Sequence, residues 1–375
     1  MDQQALGDKF GMALADPGTI GSSESNIGTL YPNVGVIGRF PSDHGVQRRG
    51  HRMDCSVTVI IAAYNAEGII ERAIRSALDQ TCRPNVIIVD DASRDETAPT
   101  VERIIKGEPR AQLVCQATNQ GPAAARNRAI ELATTDWVTP LDADDAMEPE
   151  RLEALVRLAG ENGWDAVGDD QYRVTSWHEG APRRRLWSDT DFAAMELTLE
   201  TFVRENIHAN TGYGRELGYI KPLVRKDFLQ AHEIRYDPDM WLGEDYDLYT
   251  RLLVAGARFG LVNPKGYIAY DTPGSLSRKH RADHLKHLVR SDQRLLSNET
   301  LPEDARTQLK AHLLLNQKKW AWARFRERVK DRDPIGTLSS FVVPPAVLAD
   351  LIGRIAVSGR NRLGRENSRK DDVRG

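Results

Sequence analysis

Cysteine is scarce in this sequence, and its scarcity restricts how the chain can be cross-linked. The 375 residues include three cysteines, Cys55, Cys82 and Cys115. Three scattered thiols are too few for a disulfide framework or for a zinc site of the usual spacing. We therefore expect the protein to work in a reducing compartment.

Long apolar runs and an excess of positive charge are lacking as well. No apolar run reaches the ~18 residues that a membrane-spanning helix needs, so no membrane span is predicted. The first residues, Met-Asp-Gln-Gln, do not begin the basic and apolar segments of a signal peptide. The formal net charge of −3 argues against nucleic acid as a partner, although it hides local basic clusters.

From residue 55 onward, apolar runs alternate with amphipathic segments. Residues 56–64 form a near-continuous apolar run of strand length, and apolar residues recur at helical spacing over 69–80. The pattern continues with strands predicted at 85–91, 111–115 and 136–141 and helices predicted at 97–105 and 122–132. Such alternation predicts an open α/β sheet, in which ligands bind at the carboxyl ends of the strands. Tyr64, Asp91 and Asp142 all stand at such ends.

The next part of the chain is less regular. Residues 170–218 are polar and show no clear period, and we interpret the basic run at 183–185 as a solvated loop. Further strands are predicted at 165–167, 218–224 and 266–270. A helix is predicted after Asp247, and a helical pattern covers 283–328.

Three carboxylates stand within four residues at the end of one predicted strand, at Asp142, Asp144 and Asp145. If the extended conformation continues, Asp142 and Asp144 point to the same side and Asp145 to the other. Two like charges side by side repel each other, and a hard divalent cation that also binds phosphate oxygens would relieve this. A surface turn, in which Asp hydrogen-bonds its own backbone, is the alternative interpretation.

Five motifs occur in one order along residues 55–280. They are Val59-Ile-Ile-Ala-Ala-Tyr-Asn65, Val89-Asp-Asp-Ala-Ser93, Asn119-Gln-Gly-Pro-Ala-Ala-Ala-Arg-Asn127, Leu141-Asp-Ala-Asp-Asp145 and Gly243-Glu-Asp245. Together they resemble the family 2 inverting glycosyltransferases, and Gly218-Tyr-Ile-Lys-Pro-Leu223 is most similar to bacterial exopolysaccharide enzymes of the succinoglycan ExoO type. The resemblance implies the GT-A fold, an α/β fold with a Rossmann-like mixed sheet flanked by helices and a helical C-terminal extension.

The resemblance also implies how a UDP-sugar donor is held. Ala62, Tyr64 and Asp91 match positions that bind the uridine, with Tyr64 facing the base and Asp91 accepting from an N–H of the uracil. Arg126 would order the nucleotide or the acidic cluster. Asp142 would contact the ribose or the waters on a metal ion.

The same resemblance implies roles in the chemistry for four further residues and one rival. Asp144 would bind the Mg²⁺ or Mn²⁺ that bridges the diphosphate. Asp245 matches the general base that takes the proton from an acceptor hydroxyl, with Asp247 as its rival. Ser277 falls in a loop that closes over the diphosphate in relatives, and His280 is a candidate additional metal ligand.

The implied activity is transfer of a single sugar, glucose by the family's pattern, to a growing, lipid-linked oligosaccharide of an exopolysaccharide or other cell-surface glycan. A sugar-nucleotide nucleotidyltransferase is one alternative, but the first turn has no Gly-x-Gly-x-Arg loop. A non-catalytic nucleotide-sugar-binding protein is another, although such a protein has no need of a base. A dehydrogenase would require Gly-x-Gly-x-x-Gly at the first turn, which is absent.

The domain organisation follows from these patterns. We expect four segments: a disordered N-terminal extension at 1–54, the glycosyltransferase domain at 55–280, a helical subdomain at 281–333, and an apolar then basic tail at 334–375. The tail either packs back on the protein or lies in a membrane interface. We therefore expect a cytoplasmic protein, free or peripherally bound at the inner face of the plasma membrane.

Overall fold

Two mixed sheets form the framework of the protein. The computed structural model describes residues 55–175, 181–207, 216–271 and 281–372, with side chains as far as residue 358 in the last helix. The predicted N-terminal extension at 1–54 lies outside the described residues. Within the described ranges the strands are β1 (Val57–Ala63), β2 (Asn85–Asp90), β3 (Ala111–Cys115), β4 (Trp137–Pro140), β5 (Ala146–Met147), β6 (Ala166–Asp169), β7 (Tyr172–Val174), β8 (Arg183–Arg185), β9 (Met195–Leu197), β10 (Leu223–Arg225), β11 (Phe259–Val262) and β12 (Tyr267–Tyr270).

The larger sheet has eight strands in the order β3-β2-β1-β4-β10-β6-β11-β9. Its first four strands are parallel, whereas β10 runs antiparallel to both of its neighbours. The smaller sheet has four strands in the order β5-β12-β7-β8. This arrangement confirms the predicted mixed α/β sheet and places the ends of β1, β2 and β4 side by side.

Helices cover both faces of the larger sheet and continue beyond it. In the described part of the chain they are α1 (Ile70–Leu78), α2 (Thr97–Ile105), α3 (Pro122–Leu132), α4 (Arg151–Asn162), α5 (Leu199–Ile207), α6 (Lys226–Ala231), α7 (Glu244–Val254), α8 (Ala282–Leu296), α9 (Glu303–Lys330), α10 (Pro334–Ser339) and α11 (Pro345–Asp372). A short 3₁₀ turn spans Leu217–Tyr219. Helices α8 to α11 confirm the predicted helical C-terminal extension, while the four domain boundaries stay a prediction.

The apolar run of β1 is continuous because the strand is buried on both faces. Ile60 packs in one hydrophobic cluster, with residues of α3 and α7, and Val59 and Ile61 pack in the other, with residues of α1 and α4. Each fully buried side chain of this size contributes roughly 1.5–3 kcal/mol to folding. Burial on two faces is typical of a parallel strand between layers of helices.

The region predicted to be irregular, 170–218, contains more regular structure than its composition indicated. Strands β7, β8 and β9 and helix α5 all lie within it, so that prediction is wrong. The three arginines at 183–185 form β8, which pairs antiparallel with β7, and not a solvated loop. Arg183 is ion-paired with Glu148, and Arg185 is ion-paired with Asp191. These partners lie outside the run, so the sequence pattern alone did not reveal them.

Two of the three cysteines are cross-linked, which the sequence analysis did not expect. A disulfide joins Cys55 and Cys82, whose Cα atoms are 5.3 Å apart, while Cys115 is free and exposed. Cys55 precedes β1 and Cys82 precedes β2, so the parallel pairing of these strands brings the two thiols together. The pairing removes the argument for a reducing compartment.

The C-terminal tail packs partly back on the protein. Helix α11 lies against α9 and buries Val347 and Leu351 completely. Helix α10 instead leaves Ile335 and Leu338 exposed. Among the described helices, none combines the length and the apolar character needed to cross a membrane.

Candidate active site

The carboxyl ends of three parallel strands meet at one edge of the larger sheet. Strands β2, β1 and β4 are consecutive neighbours, and Asp91, Tyr64 and Asp142 follow their respective ends. Tyr64 is exposed and Ala62 is partly buried, whereas Asp91 is buried. An open α/β sheet binds its ligand at such an edge, so this edge is the candidate site.

Asp91 shapes the turn that leads into α3. Its two carboxylate oxygens accept hydrogen bonds from the backbone amides of Gln120 and Gly121, at 2.8 Å and 2.7 Å. Gly121 has a φ of +89°, and a Cβ there would lie 3.2 Å from the ring of Trp241. In this arrangement both oxygens of Asp91 are engaged by the protein backbone. Its contact with a uracil therefore stays a prediction, as do the uridine contacts of Ala62 and Tyr64.

A cluster of five charged side chains, which we call the charged centre, lies beside this edge. Arg126 of α3 donates from Nη2 to Asp142 Oδ1 at 2.8 Å and from Nη1 to Glu244 Oε1 at 2.7 Å. Lys221, which precedes β10, donates from Nζ to Asp245 Oδ2 at 2.6 Å and lies 3.1 Å from Asp142 Oδ2. Two cations thus hold three carboxylates, of which Glu244 and Asp245 are consecutive on α7 and Asp142 is distant from them in sequence.

The electrostatics of the charged centre follow from burial and pairing. Burial alone would raise the pKa of Asp142, but the charges of Lys221 and Arg126 outweigh burial and lower that pKa to about 2. Burial would lower the pKa of Lys221, but attraction by Asp142 and Asp245 outweighs it and raises the pKa. Burial raises the pKa of Glu244 despite the opposing effect of Arg126, and Asp245 adds to the increase. Asp142 is therefore an anion and Lys221 a cation at neutral pH.

Asp245 has two oxygens in different surroundings. Oδ2 is held by Lys221, whereas Oδ1 is buried and has no hydrogen-bond partner among the described residues. Arg126 Nη1 lies 3.8 Å from Oδ1, which is beyond hydrogen-bond distance, and the Tyr236 hydroxyl is a polar neighbour of the same carboxylate. A buried carboxylate oxygen that lacks a donor is rare and points to a function or to an absent partner.

Asp144 and Asp145 lie in a turn and not in an extended strand. Strand β4 ends two residues before Asp142, and the amide of Asp145 donates to the carbonyl of Asp142 at 3.0 Å. The expectation that Asp142 and Asp144 share one face of a strand is therefore wrong. Asp145 is buried and accepts hydrogen bonds from the Tyr267 hydroxyl at 2.8 Å and the Tyr270 amide at 2.9 Å. Burial, with the charges of Asp142 and Asp144, raises the pKa of Asp145 well above its ordinary value.

Binding of a cation by Asp144 stays a prediction. Asp144 is partly exposed, and the positive charge of Arg72 lies close to it. In the ranges that the structure describes, no group of three or more His, Cys, Asp or Glu side chains is arranged as a metal site. A Mg²⁺ ion that binds substrate phosphates, however, needs only one or two protein carboxylates, with waters in the other positions. The carboxylate of Asp144 fits such an ion in chemistry, whereas both oxygens of Asp142 are held by Arg126 and Lys221.

Asp247, the rival candidate for the base, faces away from the charged centre. It is buried and accepts hydrogen bonds from Ser291 and Arg294 of α8, each at 2.6 Å, and from Arg251. Its role in the structure is to attach α7 to α8. The predicted closing loop, with Ser277 and His280, lies outside the described residues.

Lys221 is the member of the charged centre that the sequence analysis missed. It lies in a segment predicted as a strand at 218–224, of which the structure forms only β10 at the end. A lysine next to Pro222 carries no motif of its own, and its partners Asp142 and Asp245 are far along the chain. One signal could have indicated Lys221. It is the only cation in the Gly218-to-Leu223 motif, and other motifs supply carboxylates that need a positive partner.

The chain is similar in sequence to known glycosyltransferases. Residues 58–218 match the family model described as glycosyl transferase family 2. The succinoglycan biosynthesis protein ExoU of Rhizobium meliloti (strain 1021) is 33% identical over 308 residues, which cover 82% of this chain and 89% of that protein. ExoO of the same organism is 31% identical over 311 residues, which cover 82% of this chain and 87% of ExoO.

Solved structures show the same fold. The crystal structure of S. aureus TarS 1-349 in complex with UDP-GlcNAc has a TM-score of 0.59 and 21% sequence identity, covering 78% of this chain and 82% of TarS. The complex of the same protein with UDP has a TM-score of 0.56 and 21% identity, covering 82% of this chain and 92% of TarS. At this identity the likeness establishes the fold, which is the GT-A fold, and nothing finer.

Proposed function

The chain belongs to glycosyltransferase family 2, and we propose that it transfers one sugar from a UDP-sugar to a growing, lipid-linked oligosaccharide with inversion at the anomeric carbon. The names of ExoU and ExoO support an exopolysaccharide as the product. The UDP-GlcNAc complex of TarS supports a UDP-sugar as the donor. Glucose is the donor sugar to test first.

The observation that carries the proposal is the environment of Asp245. Lys221 holds Oδ2 at 2.6 Å and so fixes the orientation of the carboxylate. Oδ1 is buried and receives no hydrogen bond of ordinary geometry from the described residues, although the Tyr236 hydroxyl is close to the carboxylate; this leaves Oδ1 able to accept a proton. A positioned carboxylate with one available oxygen is the requirement for a general base, whereas a protein that only binds nucleotide sugars does not need one.

In the proposed reaction, Asp245 Oδ1 takes the proton of an acceptor hydroxyl while the hydroxyl oxygen attacks the anomeric carbon. The attack comes from the face opposite UDP, and the bond to UDP breaks with its electron pair remaining on the diphosphate. Ala62, Tyr64 and Asp91 hold the uridine end, as their position at the sheet edge allows. A Mg²⁺ or Mn²⁺ ion held by Asp144 would neutralise charge on the departing diphosphate.

The surface of α10 supports a peripheral position at a membrane, where a lipid-linked acceptor would be found. Ile335, Leu338 and Val342 are 80%, 71% and 82% exposed. Ile335 and Leu338 are three residues apart and lie on one side of α10, and Val342 follows shortly after the end of the helix at Ser339. The basic stretch at 324–332 lies just before them in the chain. Exposed apolar side chains beside basic ones are typical of helices that bind anionic membrane surfaces.

The test of the proposed function is the substitution Asp245→Asn, which keeps the size of the side chain but removes the base. We expect near-normal UDP-sugar binding and a rate of sugar transfer reduced by roughly 10²-fold or more, the scale of lost general-base catalysis. Transfer is measured with a panel of radiolabelled UDP-sugars and membrane extract as the source of acceptor.

Asp239→Asn is the matched control, because Asp239 is exposed and lies shortly before α7. Asp247→Asn is not a suitable control, since this carboxylate is buried and attaches α7 to α8. Transfer by Asp245→Asn at the rate of the unmodified protein would remove Asp245 from the mechanism. Binding without transfer by the unmodified protein, for every UDP-sugar, would favour a non-catalytic binding protein.

A further inference from the structure

A large cavity lies on the other side of α7 from the charged centre. It has a volume of about 1360 Å³ and is bounded by residues of α7, α8, α9 and α11. Gly243 and Tyr246 line it, and Asp245 lies between them in the sequence with its side chain directed to Lys221. The first turn of α7 therefore separates the cavity from the base proposed above.

One face of α9 supplies much of the cavity wall, and this face is both aromatic and cationic. Lys319, Trp322, Arg326 and Lys330 all line the cavity, at the three- and four-residue spacing of a single helical face. Trp322 and Phe325 also stack on each other, with ring centroids 6.0 Å apart and planes at 17°. Flat aromatic rings of this kind bind apolar groups and the faces of sugar rings.

The cations on this face are only partly balanced by the two carboxylates that also line the cavity, Glu216 and Glu327, and Glu327 already accepts a hydrogen bond from the amide of Ala282. Lys319 is attracted by Glu216, which also lines the cavity. Arg326 and Lys330 have no ion pair with any carboxylate in the described parts of the chain. Two neighbouring cations one helical turn apart repel each other, and a multivalent anion that bridges them would remove this repulsion.

We propose that this cavity is the acceptor site and that it binds a lipid diphosphate, the group through which a lipid-linked saccharide is attached to its carrier. The diphosphate lies on Arg326 and Lys330, and the first part of the lipid chain lies on the apolar and aromatic wall around Trp322. The attached saccharide then extends past the start of α7 towards Asp245. This inference rests on the proposed function, because it names the binding site of that reaction's acceptor.

The position of the cavity favours this ligand over a second nucleotide sugar. Val329 and Ile355 line the cavity, and Val329 is itself 48% exposed. Ile352 and Val357, on α11 beside Ile355, are exposed as well. An apolar rim around a cationic wall matches a ligand with a lipid tail and an anionic head. A free nucleotide has no lipid tail to contact the rim.

The test measures binding of farnesyl diphosphate, a soluble lipid diphosphate, to the full chain by calorimetry. We expect the double substitution Arg326→Glu with Lys330→Glu to weaken binding by about tenfold or more, because both charges that contact the diphosphate are reversed. Lys310→Glu is the matched control: it makes the same kind of charge change at an exposed position of α9 that does not line the cavity. Binding by this control should equal that of the unmodified protein.

Two further ligands test the lipid part and the diphosphate part of the proposal independently. Farnesol and inorganic diphosphate should each bind much more weakly than farnesyl diphosphate, because each lacks one of the two recognised groups. Equal binding of inorganic diphosphate would overturn the lipid part, and equal binding of farnesol would overturn the role of the cations. No binding of farnesyl diphosphate, or equal binding by the double variant, would overturn the site as a whole.

A fold control keeps the experiment decisive. Each variant is checked by circular dichroism, and if the double glutamate variant unfolds, Arg326→Gln with Lys330→Gln removes the charges while keeping polar side chains of similar length. Sugar transfer from UDP-sugars is measured in parallel. Transfer without farnesyl diphosphate binding overturns the cavity assignment alone, and farnesyl diphosphate binding without any transfer overturns the proposed function.

Discussion

Replacing Lys221 by methionine is the most direct test of the charged centre. Lys221 is buried, and its ammonium group lies 2.6 Å from Asp245 Oδ2 and 3.1 Å from Asp142 Oδ2. Methionine keeps most of the length of the side chain but removes the charge. The substitution therefore leaves a buried carboxylate, Asp245, beside a partly exposed one, Asp142, with Arg126 as their remaining cation in the described structure.

The expected loss of stability is large. Removing one partner of a buried ion pair typically lowers the free energy of unfolding by about 3–5 kcal/mol, because an uncompensated charge stays behind. The pKa of Asp142 gives a second, independent figure. Its decrease from 3.8 to about 2 corresponds to roughly 2 kcal/mol of stabilisation at neutral pH, part of which comes from Arg126 and would survive. The first figure predicts a loss of about 3–5 kcal/mol at pH 7, and the second predicts a loss of at most roughly 2 kcal/mol through Asp142 alone.

The loss of stability in Lys221→Met should depend on pH. A carboxyl group whose pKa is lowered in the folded protein stabilises it above the unfolded pKa, and this stabilisation is lost as pH falls from 3.8 towards 2. In Lys221→Met the pKa of Asp142 should rise towards its ordinary value, so less stabilisation remains to be lost on acidification. The difference between the unmodified protein and the variant should therefore be largest at pH 7 and smaller at pH 3.

The assay is urea unfolding followed by circular dichroism at both pH values, with Lys310→Met as the control for loss of an exposed lysine. A loss below about 1 kcal/mol at pH 7 would show that Lys221 behaves like a solvated surface charge, contrary to the buried geometry. An equal loss at pH 7 and pH 3 would refute the assigned electrostatic coupling to Asp142.

Two further predictions concern the metal and the membrane. Asp144→Ala should abolish the Mg²⁺- or Mn²⁺-dependent part of UDP binding in calorimetry, because its carboxylate is the proposed main protein ligand of the ion; unchanged metal-dependent affinity would remove that assignment. Ile335→Asp with Leu338→Asp should shift the protein from sedimenting with anionic vesicles to remaining in solution, with the thermal midpoint unchanged because both side chains are exposed. Equal sedimentation of this variant and the unmodified protein would exclude α10 as the membrane contact.

The parts of the fold that the sequence predicted are those in which one face or both faces of an element are buried. Strand β1 is apolar over its whole length because it contributes to two hydrophobic clusters, and α1 places Ile70, Ala73 and Ile74 at helical spacing in one of them. Such patterns are local, so a single sequence shows them. The positions of Tyr64, Asp91 and Asp142 at the strand ends followed from the same reasoning.

The parts that the sequence did not predict depend on contacts between distant residues. Strands β7, β8 and β9 have three residues each, which is too short for a period to show. The disulfide between Cys55 and Cys82 depends on the pairing of β1 with β2, and spacing alone does not specify it. The turn at Asp144 forms because β4 stops early, a boundary that patterns define poorly.

Helix α7 connects the charged centre, the cavity and the helical extension through consecutive residues. Glu244 and Asp245 are directed to Arg126 and Lys221, Tyr246 lines the cavity and bonds to Asp292 of α8 at 3.2 Å, and Asp247 is held by α8. The position of the proposed base is therefore fixed from both sides, by the cations at the sheet edge and by the attachment to α8. A change at the α8 contact would displace Asp245 without touching the donor. For this reason the helical extension contributes to positioning of the base as well as to the cavity wall.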